Sequence, residues 1–476
     1  MLLRGARLAP GEAPTDLMVT GDRIGSDGSD AADIVDLGGR LVLPGLWDAH
    51  VHLDQWALSR AALDLSGATS AAHAVRLIAE HLPSADTDVV VAHGFRDGLW
   101  PDSPTAALLD AATADRPVVA LSGDLHSGWF NTAALRRFSL APHPSGLLTE
   151  TEFMPIMNDV QRVDPAVLDR RVDAAVRAAA ARGVVGVTDF EIADNRAVWA
   201  RRIAAGTDLL RVRCGVWPRW LDQAIADGAG TGDPVPGTRG LATVGPLKVI
   251  VDGSLGTRTA YCHDPYPGGG HGVLSVPPRE LIGLMSRATG HGLEYAIHAI
   301  GDQACEHVLD AFAATGARGS VEHAQLVAEK DFRRFAELGV TASVQPAHVH
   351  DDADLAERYW PGRTGRAFPY GTLLSSGVRL ALGSDAPVAP LDPWLTLAAA
   401  VDRTLPDGRA WHREHEIPWE VALAASTGGR VRVTTGDLAD LVVLDTDDLP
   451  TTGARLASMP VWGTMLGGRW TYEPAA

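Results

Sequence analysis

Cysteine is scarce in this chain of 476 residues: Cys214, Cys262 and Cys305, an odd number far apart in sequence. With no CxxC pair they build no disulfide framework, which fits a reducing cytoplasm. Long apolar runs are also lacking. No stretch reaches the ~18 apolar residues of a membrane-spanning helix, and the opening MLLRGARLAPGEAP lacks the continuous apolar core of a secretory signal. Positive charge is the third deficit. Lys and Arg number 41 against 59 Asp and Glu, for a formal net charge of −18. Nucleic acid and anionic membranes would be repelled, so a small molecule is the expected partner, and a homo-oligomer stays open. Hydrophobic residues at 46% and charged residues at 21% describe a globular chain with a large core.

The first 40 residues hold short strand-like runs between Gly, Asp and Pro clusters, as in LLRGARLA, DLMVTGDRIG and DIVDLGGRLVLPG. The last 45 are similar, with GDLADLVVLDTDD and VWGTMLGGRWTYEP. A small β unit assembled from both ends is expected there. In the middle, apolar runs alternate with helical patterns such as VLDRRVDAAVRAAAAR. The runs are the opening stretch LPGLWDAHVHLD, then VVGVTDF, RVRCGVW, LKVIVDG, LEYAIHAIG, GSVEHAQ, GVTASVQP and VRLALGSDAP. Near-continuous apolar strands between helices predict a parallel sheet covered on both faces, and eight of them close a (β/α)₈ barrel of the TIM type. Residues 55–182 do not follow the repeat and read as an insertion after the first barrel strand. The expected organisation is an α/β chain: 1–42 with 430–476 as a β-sandwich, and 43–429 as the barrel carrying that insertion.

Polar residues interrupt these strands at particular places. His50 and His52, one residue apart in strand one, share a face because side chains alternate along a strand. Lys248 lies inside strand four, His298 and His323 end strands five and six, and Asp385 ends strand eight. Taken singly each has a bland reading: a structural histidine, a snorkelling lysine, a helix-capping aspartate. One metal site at the C-terminal mouth of the barrel accounts for all six together. Imidazole and carboxylate suit zinc first, with manganese, iron or nickel as alternatives. The lysine is the odd member, because an ammonium group repels a cation. Burial lowers its pKa, and a neutral amine can add carbon dioxide to become a carbamate, an anionic bridge between two divalent ions. A salt bridge to Asp252, four residues on, is the competing use of Lys248.

The motifs PGLWDAHVHL, LKVIVDGSLGTRTA, PYPGG, IHAIGDQA, VEHAQL, SVQPAH and LGSDAPV occur in one order along nearly the whole chain. In this the chain resembles the amidohydrolase superfamily, and more narrowly its branch of N-substituted formamide deformylase-like metal-dependent hydrolases. The resemblance implies that His50 and His52 bind the more buried ion, that carboxylated Lys248 bridges, and that His298 and His323 bind the second ion. Asp385 would bind the first ion and act as general base and proton shuttle. The activity implied is hydrolysis of a non-peptide C–N bond, an amide or N-substituted formamide, by metal-activated hydroxide.

Substrate contacts are expected from His126 in GDLHSGWFN, Trp100, Arg258 in the tail of the lysine motif, and His348. His348 and His350 form a second His-x-His, but Pro346 places it in a broken loop, where ligands are held less rigidly than at a strand end. One rival function is a mononuclear nucleobase-type deaminase on the same barrel. The superfamily's deaminases place a glutamate just after the fifth-strand histidine, where this chain has HAIGDQA with Asp302. The other rival is a non-catalytic solute-binding barrel, against which the full ligand set argues.

Overall fold

The structure, a computed structural model, describes residues 1–25, 33–82, 88–450 and 452–473. Parts of the expected sandwich at 26–32, 451 and 474–476, and of the expected insertion at 83–87, lie outside the described residues.

Eight parallel strands form the central sheet in sequence order: Leu46–Val51, Val184–Asp189, Arg211–Val216, Ala242–Ile250, Tyr295–Ala299, Gly319–His323, Thr341–Val344 and Leu380–Leu382. Seven fall within the runs named above, and the fourth overlaps its run but begins five residues earlier, at Ala242. Their side chains are almost wholly buried; strands two and five have no exposed residue. That is the pattern of a sheet covered on both faces, with helices such as Pro165–Ala180 and Asp302–Thr315 outside. The ring closes beyond strand eight. Val51 bridges Ala386 in parallel, Asp385 donates its N–H to the His50 carbonyl at 2.8 Å, and His52 donates to the Ala386 carbonyl at 2.8 Å. Gly383 allows that approach: a Cβ there would meet the His50 nitrogen at 2.7 Å. The closing seam is therefore made of the segments that carry His50, His52 and Asp385.

Two four-stranded sheets come from the chain ends. One orders Arg23–Gly25, Thr15–Thr20, Leu2–Ala6 and Ile34–Asp36; the other orders Arg469–Tyr472, Val461–Leu466, Leu441–Leu444 and Val42–Pro44. Leu3, Leu17, Val19, Val42, Leu441, Val443 and Met465 form a core between them. Alternation along Leu441–Leu444 joins two cores. Leu441 and Val443 face this one, while Val442 and Leu444 belong to the barrel's apolar cluster.

Between strand one and the helix leading into strand two lies a five-stranded sheet, ordered Leu147–Thr149, Ser127–Phe130, Val118–Ser122, Val90–Phe95 and Leu63–Asp64. It has apolar clusters of its own, around Phe95 and Trp129 and around Phe130 and Phe153. A sheet with its own core is a rigid platform, and its loops reach the barrel mouth. Cys214, Cys262 and Cys305 are free and buried. Among the described residues no helix is long and apolar enough to cross a membrane.

Candidate active site

The C-terminal ends of the barrel strands open into one cavity whose lining includes His50, His52, Lys248, His298, His323 and Asp385. Strand register sets their depth. Ile250 pairs with His298 and Lys248 with Ala296, so Lys248 starts one layer below His298, and its long side chain spans the difference. Its Nζ reaches 2.9 Å from His50 Nε2 and lies 4.5 Å from the centre of the Phe190 ring. Asp385 faces the histidines: Oδ1 is 3.4 Å from His50 Nε2 and 3.6 Å from His52 Nε2, and Oδ2 is 4.0 Å from His323 Nδ1. The shared reach of His50 and His52 to one carboxylate oxygen is the i, i+2 geometry of a strand end. Among the described residues, His50, His323 and Asp385 form a donor group, with one ligand atom from each within 4.8 Å of the others. The His298 ring centre lies 4.5 Å from that of His323.

Burial and crowding fix the charge states. Desolvation, together with the charges of Lys248 and the neighbouring imidazoles, holds His50 and His323 well below their ordinary pKa and brings His52 down to about 3. Burial also lowers His298, against the pull of Asp252. These imidazoles are thus neutral and keep a lone pair for coordination. Burial brings Lys248 down to about 8 although Glu322 and Asp385 attract its charge, and it lifts Asp385 to about 7 although Lys248 and His126 oppose the shift. Lys248 is one of only two lysines in the chain, the other being the half-exposed Lys330.

Carboxylates and amides hold these groups from behind. Glu322 Oε2 accepts from His50 Nδ1 at 2.6 Å, and Gln345 Oε1 sits 2.9 Å from His323 Nδ1. Asp48 accepts the backbone N–H of His50 and of Ser384, both at 3.0 Å, tying strand one to the segment that presents Asp385. Asp252 is not the partner of Lys248. It lies 3.3 Å from His298 Nε2 and accepts the N–H groups of Tyr261, Ile300 and Gly301, which fixes the end of strand five. Sequence reading missed Glu322 and Asp48. The available signal was a carboxylate inside an apolar strand beside a predicted ligand.

Of the four expected substrate contacts, the cavity takes two. His126 lines it, as do Asp124 and Leu125 from the same loop of the inserted sheet. Burial opposes protonation of His126, but Glu150, 3.0 Å from its Nδ1, outweighs it and raises the imidazole to about 9. His348 also lines the cavity, with Nε2 3.3 Å from the Ser384 carbonyl oxygen. Trp100 and Arg258 do not line it. The Trp100 indole donates to the Ala68 carbonyl at 3.0 Å and packs near Phe95 inside the insertion, and Arg258 is exposed with its guanidinium over the Tyr359 ring. His350 is absent from the lining as well. His348 precedes the helix Val349–Tyr359 and His350 sits within it, so the i, i+2 logic of a strand fails there. Arg96, Asp351, Met154 and Met157 are walls that the sequence did not announce.

The donor set fits a divalent cation, because neutral imidazoles and a carboxylate converge within ligand spacing in a buried cavity. An eight-stranded parallel barrel with such donors at its C-terminal mouth defines the metal-dependent hydrolase class. Residues 33–472 match the amidohydrolase family, and the chain belongs to it. The chain is 27% identical to the putative amidohydrolase YtcJ of Bacillus subtilis, over 94% of its length and 92% of that protein. It is 24% identical to the N-substituted formamide deformylase of Arthrobacter pascens, over 96% of its length and 94% of that enzyme. Among solved structures, an uncharacterized metal-dependent hydrolase from Pyrococcus horikoshii OT3 superposes with a TM-score of 0.78 at 25% identity, covering 95% of this chain and 99% of that one.

Proposed function

We propose that this chain is a metal-dependent amidohydrolase that cleaves a non-peptide C–N bond in a small amide or N-substituted formamide. The observation that carries the reading is the convergence of His50, His52 and His323 on Asp385 in one cavity that Lys248 and His298 also line. The similarity to an N-substituted formamide deformylase over nearly its full length supports the choice of bond. His50, His52, His298, His323 and Asp385 would hold two divalent ions, zinc first among the choices, with Lys248 as a bridging carbamate. When bound, such ions supply Lewis acidity toward a carbonyl oxygen and toward water.

The chain's own residues do the rest. Asp385, facing His50 and His52 across the cavity, accepts a proton from water and passes it to the leaving nitrogen. Its backbone bond to His50 keeps the carboxylate at a fixed distance from both imidazoles. Leu125, Met154, Met157 and Ile192 form an apolar wall that takes the N-substituent or acyl group and sheds water. A screen of N-formyl and N-acetyl alkylamines and arylamines on zinc-loaded protein, read by release of free amine, tests the reading. Release of amine supports it. Inertness to the whole panel, or ammonia release from aminated nucleobases instead, refutes it.

A further inference from the structure

Strand six ends in an unusual backbone. His323 has φ of 74° and Ala324 of 42°, two consecutive non-glycine residues in the left-handed region. Such a conformation is strained for a residue with a side chain and persists only where surrounding bonds impose it. They do so here: Ala324 donates to the Ala299 carbonyl at 3.1 Å, Leu326 to the Ile300 carbonyl at 2.9 Å, and Phe368 to the Gln325 carbonyl at 2.5 Å. Within this pinned turn Gln325 lines the active-site cavity together with His298 and His323.

Gln325 is 4% exposed, and its Oε1 has no hydrogen-bond partner among the described residues. The other buried glutamines have side-chain partners. Gln55 donates to Glu191 at 3.2 Å, and Gln345 faces His323 Nδ1 at 2.9 Å and donates to the Ser343 carbonyl at 3.3 Å. A buried amide oxygen left unpaired is costly, and turning the side chain so that a ligand donates to it removes that cost. A simple amide or formamide offers one donor, its N–H, next to the bond that is cut.

We propose that Gln325 is a substrate-recognition residue whose side-chain carbonyl oxygen accepts the N–H of the scissile amide. The enzyme then selects secondary amides and N-monosubstituted formamides over their N-methylated counterparts. This rests on the amide-hydrolysis reading above. It assigns a specificity role to a residue outside the ligand set.

The test compares N-butylformamide with N-butyl-N-methylformamide, and N-butylacetamide with its N-methyl derivative, on zinc-loaded wild type and Gln325→Leu. Wild type should prefer the N–H member at least tenfold in kcat/KM. Gln325→Leu should lose about 10–100-fold on the N–H member and little on the N-methyl member, so the preference collapses. Gln325→Met, unbranched and closer in shape, serves if the Leu variant does not fold. Zinc content should equal that of wild type. A preference that survives in the variant, an equal loss on both members, or a parallel fall in zinc content overturns the assignment. Hydrolysis of neither pair by wild type refutes the amide reading and the assignment with it.

Discussion

Glu322 is the sharpest place to perturb the site without touching a ligand. Its Oε2 lies 2.6 Å from His50 Nδ1, and the two side chains are only 2% and 1% exposed. A carboxylate there does two things. It fixes the imidazole tautomer, with the proton on Nδ1, and it enriches the electron density at Nε2, the atom facing Asp385 and Lys248. Glu322→Ala leaves a buried N–H without its partner, at about 1–3 kcal/mol, equivalent to roughly 5–150-fold in an equilibrium. Loss of such a supporting group typically weakens metal binding about 10–100-fold. Both effects act in the same direction, so zinc affinity should fall by one to two orders of magnitude. Competition with a chromophoric chelator measures it. Glu322→Gln keeps an oxygen acceptor at the same reach and should recover most of the loss, which separates the hydrogen bond from simple space-filling. Wild-type zinc affinity in Glu322→Ala would refute the argument.

Asp385→Asn should retain zinc in part but lose about 10²–10⁴ in kcat, because an amide cannot shuttle the proton; kinetics alongside elemental analysis check it, and near-normal turnover with zinc bound would remove the assigned role. Lys248→Ala should drop zinc from two ions per chain toward one, and wild type loaded with ¹³C-bicarbonate should show a carbamate carbon by NMR; two ions bound with no such signal would leave Lys248 unmodified. The His126–Glu150 pair should make stability depend on pH. His126 is raised from 6.5 to about 9, so its contribution is full below 6.5 and is lost as pH rises through 9; Glu150 is lowered from 4.5 to about 2, so its contribution is full above 4.5 and is lost as pH falls through 2. Glu150→Gln should therefore lower Tm more at pH 6 than at pH 10, and an equal drop at both would contradict the pairing.

The strand positions were legible because a doubly covered parallel strand must be apolar along its length. That rule makes each polar interruption conspicuous, and His50, His52, Lys248, His298 and His323 stand out for that reason. Spacing also conveyed orientation where the backbone is regular: His50 and His52 do share a face. The rule failed where the backbone leaves the strand. His348 and His350 have the same spacing, but a helix begins between them and sends only His348 to the cavity. Asp252 has the right separation to reach Lys248 from the same strand face, yet the strand ends at Ile250 and the carboxylate turns to strand five.

By itself, then, the sequence determined the alternation of elements, the count of barrel strands and the residues at their C-terminal ends, since period and polarity are local properties of the chain. Tertiary structure alone decided who supports whom. Consecutive residues Glu322 and His323 would face opposite sides of a regular strand, but the left-handed backbone at His323 lets both turn to His50, 272 residues away from Glu322. The inserted sheet likewise brings Asp124, Leu125 and His126 to the barrel mouth while keeping Trp100 within its own core. Such pairings depend on which strands become neighbours and how their ends are bent, and these are set by closure of the barrel and the strain it imposes, not by spacing along the chain.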